Sequence, residues 1–141
     1  MMTQYKIYIE TSVIIGAVQQ NLIAQDGYIQ DLIKRGLIKQ SDMYISSKEF
    51  LDYVLLNKKH DLEPLISYTV KYEIRNLLST KKQMEEKIIN KIKIFTEIKK
   101  LPIDDQKIMN LLLYKIFFIK LPSLTYDLID NFTSISVEKT A

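Results

Sequence analysis

The stretch KIYIETSVIIGAV, Lys6 to Val18, decides the fold class. An apolar, β-branched run ends on a carboxylate, Glu10, and Thr11 and Ser12 follow at once. Tyr5 to Ile9 reads as a buried, inner strand. Thr11 and Ser12 read as caps of a helix through Val13, Ile14, Ala17 and Val18. A strand that ends on an acid carries it to the carboxyl edge of the sheet, where open α/β folds bind their ligands. A surface strand also ends this way, so Glu10 marks a site only if other acids join it.

Downstream, helices dominate. Asp26 caps a second helix with Ile29, Leu32, Ile33 and Leu37 at helical spacing. Ser46 and Glu49 have the form of a capping box that opens a helix with Phe50, Tyr53 and Val54 inward. Pro64-Leu65-Ile66 is a short extended lead-in, after which Ser67 or Thr69 starts a helix through Val70, Glu73, Ile74, Leu77 and Leu78. A charged helix is expected over Lys81 to Phe95, with Met84, Ile88, Ile92 and Phe95 on one face. Ile98 to Ile103 reads as a further strand, stopped by Pro102 and by Asp104-Asp105, which suit the first turn of the next helix. That helix runs to about Lys120, breaks at Leu121-Pro122-Ser123, and gives way to a last helix starting near Thr125. Strands alternating with helices predict one α/β domain over residues 1–141, helix-rich, with a short, mostly parallel sheet.

Composition narrows the chemistry. The chain has 141 residues, 47% hydrophobic and 26% charged, as in a folded soluble protein. It has no cysteine and one histidine, His60. Disulfides, thiolate ligands and cysteine nucleophiles are therefore excluded, and zinc sites and Ser-His-Asp triads are disfavoured. A net charge of +3 leaves any nucleic-acid surface to local clustering. The lysines between Lys81 and Lys100 are offset by Glu85, Glu86 and Glu97 and read first as a solvated helix face. The N-terminus lacks a secretory pattern, and the apolar stretch Ile108 to Leu121 falls short of the roughly 20 residues that span a bilayer. A cytoplasmic protein without a membrane partner is expected.

Three acidic positions bear on function. Glu10 ends the first strand, Glu73 lies on a helix after a short extended run, and Asp127 and Asp130 lie three apart near the start of the last helix. Converging carboxylates repel one another, so a fold that gathers them normally supplies a cation. All-oxygen ligation suits Mg²⁺ or Mn²⁺, which can align a phosphodiester and activate a water.

The motifs resemble those of PIN-domain proteins. KIYIETSVIIGAV is similar to the family's opening strand, which ends in Asp-Thr-Ser or Asp-Thr-Asn before an apolar helix. LISYTVKYEIRNLL, Leu65 to Leu78, resembles the second motif, a hydroxyl-rich lead-in to a helical Glu. IKKLPIDDQKI resembles the family's next strand and helix. LTYDLIDNFTSISV, Leu124 to Val137, is similar to the third motif, an Asp opening a helix. The resemblance implies a three-layer α/β/α fold and an endoribonuclease, often the toxin of a toxin–antitoxin pair. It further implies Mg²⁺ or Mn²⁺ held by Glu10, Glu73 and Asp127, with Asp130 competing for the third place. Thr11 and Ser12 would support the site, and Arg75 would contact phosphate. RNA, an antitoxin protein and a second copy of the chain are the implied partners.

Three departures qualify the resemblance. The first acid is Glu10 where the family usually has Asp. About 60 residues separate Glu10 from Glu73, which implies an extra helical segment around residues 21–62, and a match through YISSKEFLDYVLL would make Asp52 the second acid instead. Only VEKTA follows the third motif, without the family's fourth acid. The alternative expectation is thus a PIN-like module that has lost catalysis and binds RNA or a protein.

Overall fold

The computed structural model describes residues 5–39, 41–56, 62–80, 82–84, 100–130 and 132–135. Along the chain run β1 (Tyr5–Tyr8), α1 (Thr11–Gln25), α2 (Gly27–Lys34), α3 (Asp42–Leu56), β2 (Leu62–Ser67) and α4 (Tyr68–Leu78). Then come α5 (Ile103–Tyr114), a π-helical segment (Lys115–Lys120), α6 (Leu121–Ile129) and β3 (Thr133–Ile135). The protein is helix-rich with a small parallel sheet, as the alternating pattern predicts. Most of the expected helix at Lys81–Phe95, and Ile98 and Lys99 of the expected strand, lie outside the described residues. Lys100 to Pro102 form a turn and Ile103 already opens α5, so the later part of that strand is not one.

The sheet has the order β1-β2-β3, with both neighbouring pairs parallel. β2, expected only as a lead-in to a helix, is the central strand. Its consecutive Leu65 and Ile66 are both buried, which requires cover on both faces. The expectation that Tyr5–Ile9 is an inner, buried strand is corrected. Among the described residues β1 is an edge strand: Tyr5, Lys6 and Tyr8 are exposed, Ile7 is half-buried, and only Ile9, just beyond it, reaches the core. β-branching there matched the extended backbone but did not report its place in the sheet.

α1 is the centre of the core. Ile14 to Gln20, Leu22 and Ile23 are buried, so the helix is covered nearly all round. It packs most extensively against α3 and also touches α2, α4 and α6. A Cβ on Gly16 would stand 3.2 Å from Ser47 Oγ, and that small residue lets α1 and α3 approach closely. Gln19 and Gln20 are carried inside, and their side-chain oxygens have no hydrogen-bond partner among the described residues.

Local signals were read with mixed success. Asp26 caps α2, its Oδ1 accepting from the Ile29 amide at 2.9 Å. Thr11 and Ser12 do not cap α1; they are its first residues, and Glu10 holds the cap position without a side-chain bond. Ser46 is likewise internal to α3, which starts at Asp42, and Phe50 and Tyr53 face out while Ser47, Leu51 and Val54 face in. α2 ends on Gly36, whose φ of 73° is left-handed. The Gly36 and Leu37 amides bond back to the Ile33 and Leu32 carbonyls, both at 3.0 Å, a Schellman closure. Gly36→Ala should cost about 1–2 kcal/mol in chemical denaturation, because a Cβ is disfavoured in that conformation.

Tyr28 on α2 donates a short hydrogen bond to Asp105 in the first turn of α5. Donation to Asp105, with smaller contributions from burial and the carboxylate's charge, pushes the Tyr28 phenol up to about 12. Its unfolded value lies near 10. The protonated phenol therefore contributes stability below about pH 10, and this is lost as pH rises through about 12. In a tyrosinate absorbance titration, Tyr28→Phe should delete one late-ionising tyrosine. Loss of an ordinary, early-ionising one would contradict the bond.

The expected break at Leu121-Pro122-Ser123 does not occur. Pro122 sits in the first turn of α6, where a missing amide is tolerated, and helix continues from Ile103 to Ile129, 27 residues. By length and composition alone this helix is sufficient to cross a membrane, and a third of its most apolar stretch (33%) is buried within the chain. Its buried series is Met109, Leu113, Phe117, Leu121, Thr125 and Ile129. Each step of four in an α-helix overshoots a full turn by about 40°. Over the whole series that drift would wind the stripe to the far side. The wide π turns, where the Leu121 amide reaches back to the Ile116 carbonyl, counter the drift and keep the stripe on the core.

Candidate functional site

β1 and β2 are parallel, so their carboxyl ends share one edge, and α1 and α4 both start there. Glu10 bridges β1 to α1 in extended conformation (φ −83°, ψ 157°), and its carbonyl accepts from the Ile14 amide at 3.3 Å. Its side chain is exposed. On the other side Ser67 ends β2 and caps α4, its Oγ accepting from the Val70 amide at 3.0 Å. A cleft of about 330 Å³ opens between them, lined by Tyr8, Ile9, Glu10, Ser67, Thr69 and Val70.

One residue beyond Glu10, Thr11 Oγ1 donates to Glu73 Oε2 at 2.7 Å, across 62 residues of sequence. The bond ties the first turn of α1 to α4 and brings the first two acidic motifs to one edge. Thr11 thus supports the site as the sequence predicts, though through a carboxylate. The amino ends of α1 and α4 also carry partial positive charge, which favours anions at this edge, whether carboxylates or phosphate.

The other expected site residues lie elsewhere. Asp127 is in the last turns of α6 and Asp130 is its C-cap, so neither opens a helix as expected. α6 delivers the chain into the start of β3, and Thr133 is level with Leu65 and through it with Tyr8. Glu10 lies beyond Tyr8 in one direction along the sheet, whereas Asp130 precedes Thr133 in the other. Arg75 is exposed two residues after Glu73, a spacing that turns it away from the face Glu73 uses. Ser12 is exposed in the first turn of α1 and does not line the cleft. Asp52, the alternative second acid, is on α3, where both its oxygens receive the Lys48 ammonium at 2.7 Å. That pair lines a different groove, between α1, α3 and α6.

Among the described residues, no group of three or more His, Cys, Asp or Glu side chains is placed to hold a metal ion. The edge offers instead two carboxylates and the hydroxyls of Thr11, Ser67 and Thr69. That all-oxygen set fits a hard cation of the Mg²⁺ type, which commonly takes one or two protein carboxylates and completes its shell with water and substrate phosphate. It does not fit the three-acid set that the resemblance implies. Tyr8 and Thr69 were missed as cleft residues, although Tyr8 stands two before Glu10 and so shares its side of the strand. No family model matches the chain, and no curated protein or solved structure matches it significantly.

Proposed function

We propose that this cleft binds Mg²⁺ or Mn²⁺ together with RNA phosphate, and that the chain is a PIN-type endoribonuclease with a three-layer α/β/α arrangement. The observation that carries the reading is the Thr11–Glu73 hydrogen bond, which joins the first and second PIN-like motifs at the carboxyl edge of the sheet. When bound, the cation polarises the phosphate and lowers the pKa of an attacking water. Thr11 fixes one oxygen of Glu73, so Oε1 is oriented for a ligand. Glu10 stands at the mouth of the same edge, and the α1 and α4 amino ends face the phosphate. The resemblance extends the reading to the toxin of a toxin–antitoxin pair acting in the cytoplasm.

A second reading, a PIN-like scaffold without catalysis, draws on two observations. Asp127 and Asp130 stand at the far end of α6, and β1 is an edge strand where an inner one was expected. Incubating varied single-stranded RNAs with the purified chain in Mn²⁺, Mg²⁺ or EDTA separates the two. Cleavage with metal and none with EDTA supports the enzyme. No cleavage, with no metal binding by calorimetry, leaves the scaffold.

A further inference from the structure

The outer side of β1 has no pairing strand among the described residues, and its backbone pattern specifies what would complete it. The Ile9 amide bonds to the Leu65 carbonyl at 2.9 Å, so Ile9, and by alternation Ile7 and Tyr5, direct their backbone groups toward β2. Lys6 and Tyr8 therefore direct theirs away from the sheet. The exposed side chains match: Tyr5 is 60% and Tyr8 54% accessible.

We propose that β1 is a self-pairing edge. Two copies join antiparallel through it, with Ile7 opposite Ile7 on the two-fold axis and Lys6 opposite Tyr8. A closed two-fold dimer with a continuous antiparallel seam places its axis perpendicular to the sheet, so only registers centred on a residue keep opposed side chains on the same face. A register centred on Lys6 sets two ammonium groups directly opposite, which is destabilising. The register centred on Ile7 makes Lys6 and Tyr8 the hydrogen-bonded pair and so uses all their outward amides and carbonyls in both copies. Ile7 becomes the closer, non-hydrogen-bonded pair, and it is already packed against the core, so the two cores meet there.

Charge complementarity favours the same register. Lys6, Tyr8 and Glu10 follow one another at strand spacing on one side of the chain. With Lys6 opposite Tyr8, the partner's Lys6 is the diagonal neighbour of Glu10, at roughly 7–8 Å in a regular ladder. A lysine on an edge strand ordinarily discourages pairing. Here it lies over a tyrosine ring and beside a carboxylate, and each copy contributes a cation to the rim of the other's cleft. The pairing rests on β1 alone and holds whether or not the cleft is catalytic.

The chain has no cysteine, so single introduced cysteines report the register without background. At roughly 100 μM, ample for a micromolar dimer, the full chain should sediment as a dimer. Lys6→Pro, which removes only an outward amide and is tolerated on an edge, should sediment as a monomer with an unchanged thermal midpoint. Under mild oxidation Ile7→Cys should form a covalent dimer. Tyr5→Cys, more exposed but far from its symmetry mate, should not. A monomeric parent overturns the proposal, as does a Lys6→Pro protein that remains folded and dimeric. So does cross-linking through residue 5 as fast as through residue 7. If Lys6→Pro fails to fold, the two cysteine variants decide.

Discussion

Glu73→Gln should abolish metal-dependent RNA cleavage, by roughly 100-fold or more, the loss expected when a metal site is deprived of an essential partner. Gln keeps the shape of Glu73, and its side-chain oxygen can still accept from Thr11 Oγ1. The helix contact therefore survives while the charge is lost. Glu10→Gln should have a comparable effect, since Glu10 supplies the other carboxylate of the edge. Thr11 separates charge from placement. Thr11→Val removes the donor to Glu73 and should lower the rate by a smaller factor, with Thr11→Ser restoring it, because misplacing a ligand by about 1 Å alone costs a large part of the rate. Turnover by the metal-loaded chain and Mn²⁺ affinity by calorimetry are the two measurements. Full activity in Glu73→Gln would remove Glu73 from the site even if the chain proved to be a nuclease.

The largest effect on stability should come from Phe117→Ala. Phe117 is completely buried in the π-helical segment, in the middle of the stripe that packs the C-terminal helices onto the core. Removing a buried phenyl ring typically costs about 3–5 kcal/mol, the lost transfer free energy plus the cavity left behind. Small domains have only about 5–15 kcal/mol in all. Urea unfolding should show a large fall in midpoint with an unchanged slope. Leu111→Ala, on the exposed side of α5, should stay within about 0.5 kcal/mol of the parent.

These variants also show what the sequence made legible. Helices with a marked apolar stripe or a side-chain cap were readable: Asp26 and Ser67 both cap as their positions predict, and Ile29, Leu32, Ile74 and Leu78 are buried. The pairing of Glu73 with the first motif was readable only through resemblance, since nothing local connects positions 62 apart. Strand order was not readable. Tyr5–Tyr8 and Leu62–Ser67 both have extended character, yet which of them lies inside depends on later segments, and the parallel partner β3 is short. The ends of α3 and α6 were misread for one reason. Ser46 and Pro122 are helix-start residues by propensity, but tertiary packing carried the helices through or around them. The misreading of α6 placed Asp127 and Asp130 at the wrong end of a helix and with them the expected third ligand.

The π-helical turns between Lys115 and Lys120 set which insertions and deletions this chain can tolerate. Losing one residue there would convert the wide turn to an ordinary one and rotate everything downstream by about 100°. Leu121, Thr125 and Ile129 would swing off the core together. Residues 130–132, the short link from α6 to β3, offer no slack to absorb the change before the sheet begins. A residue added or removed in the connection between α2 and α3 meets no such constraint, because its exposed turn need not keep two helices in phase. Length variation among natural or engineered versions of this protein should therefore collect around residues 35–41 and avoid 115–132, even though both stretches lie between helical elements.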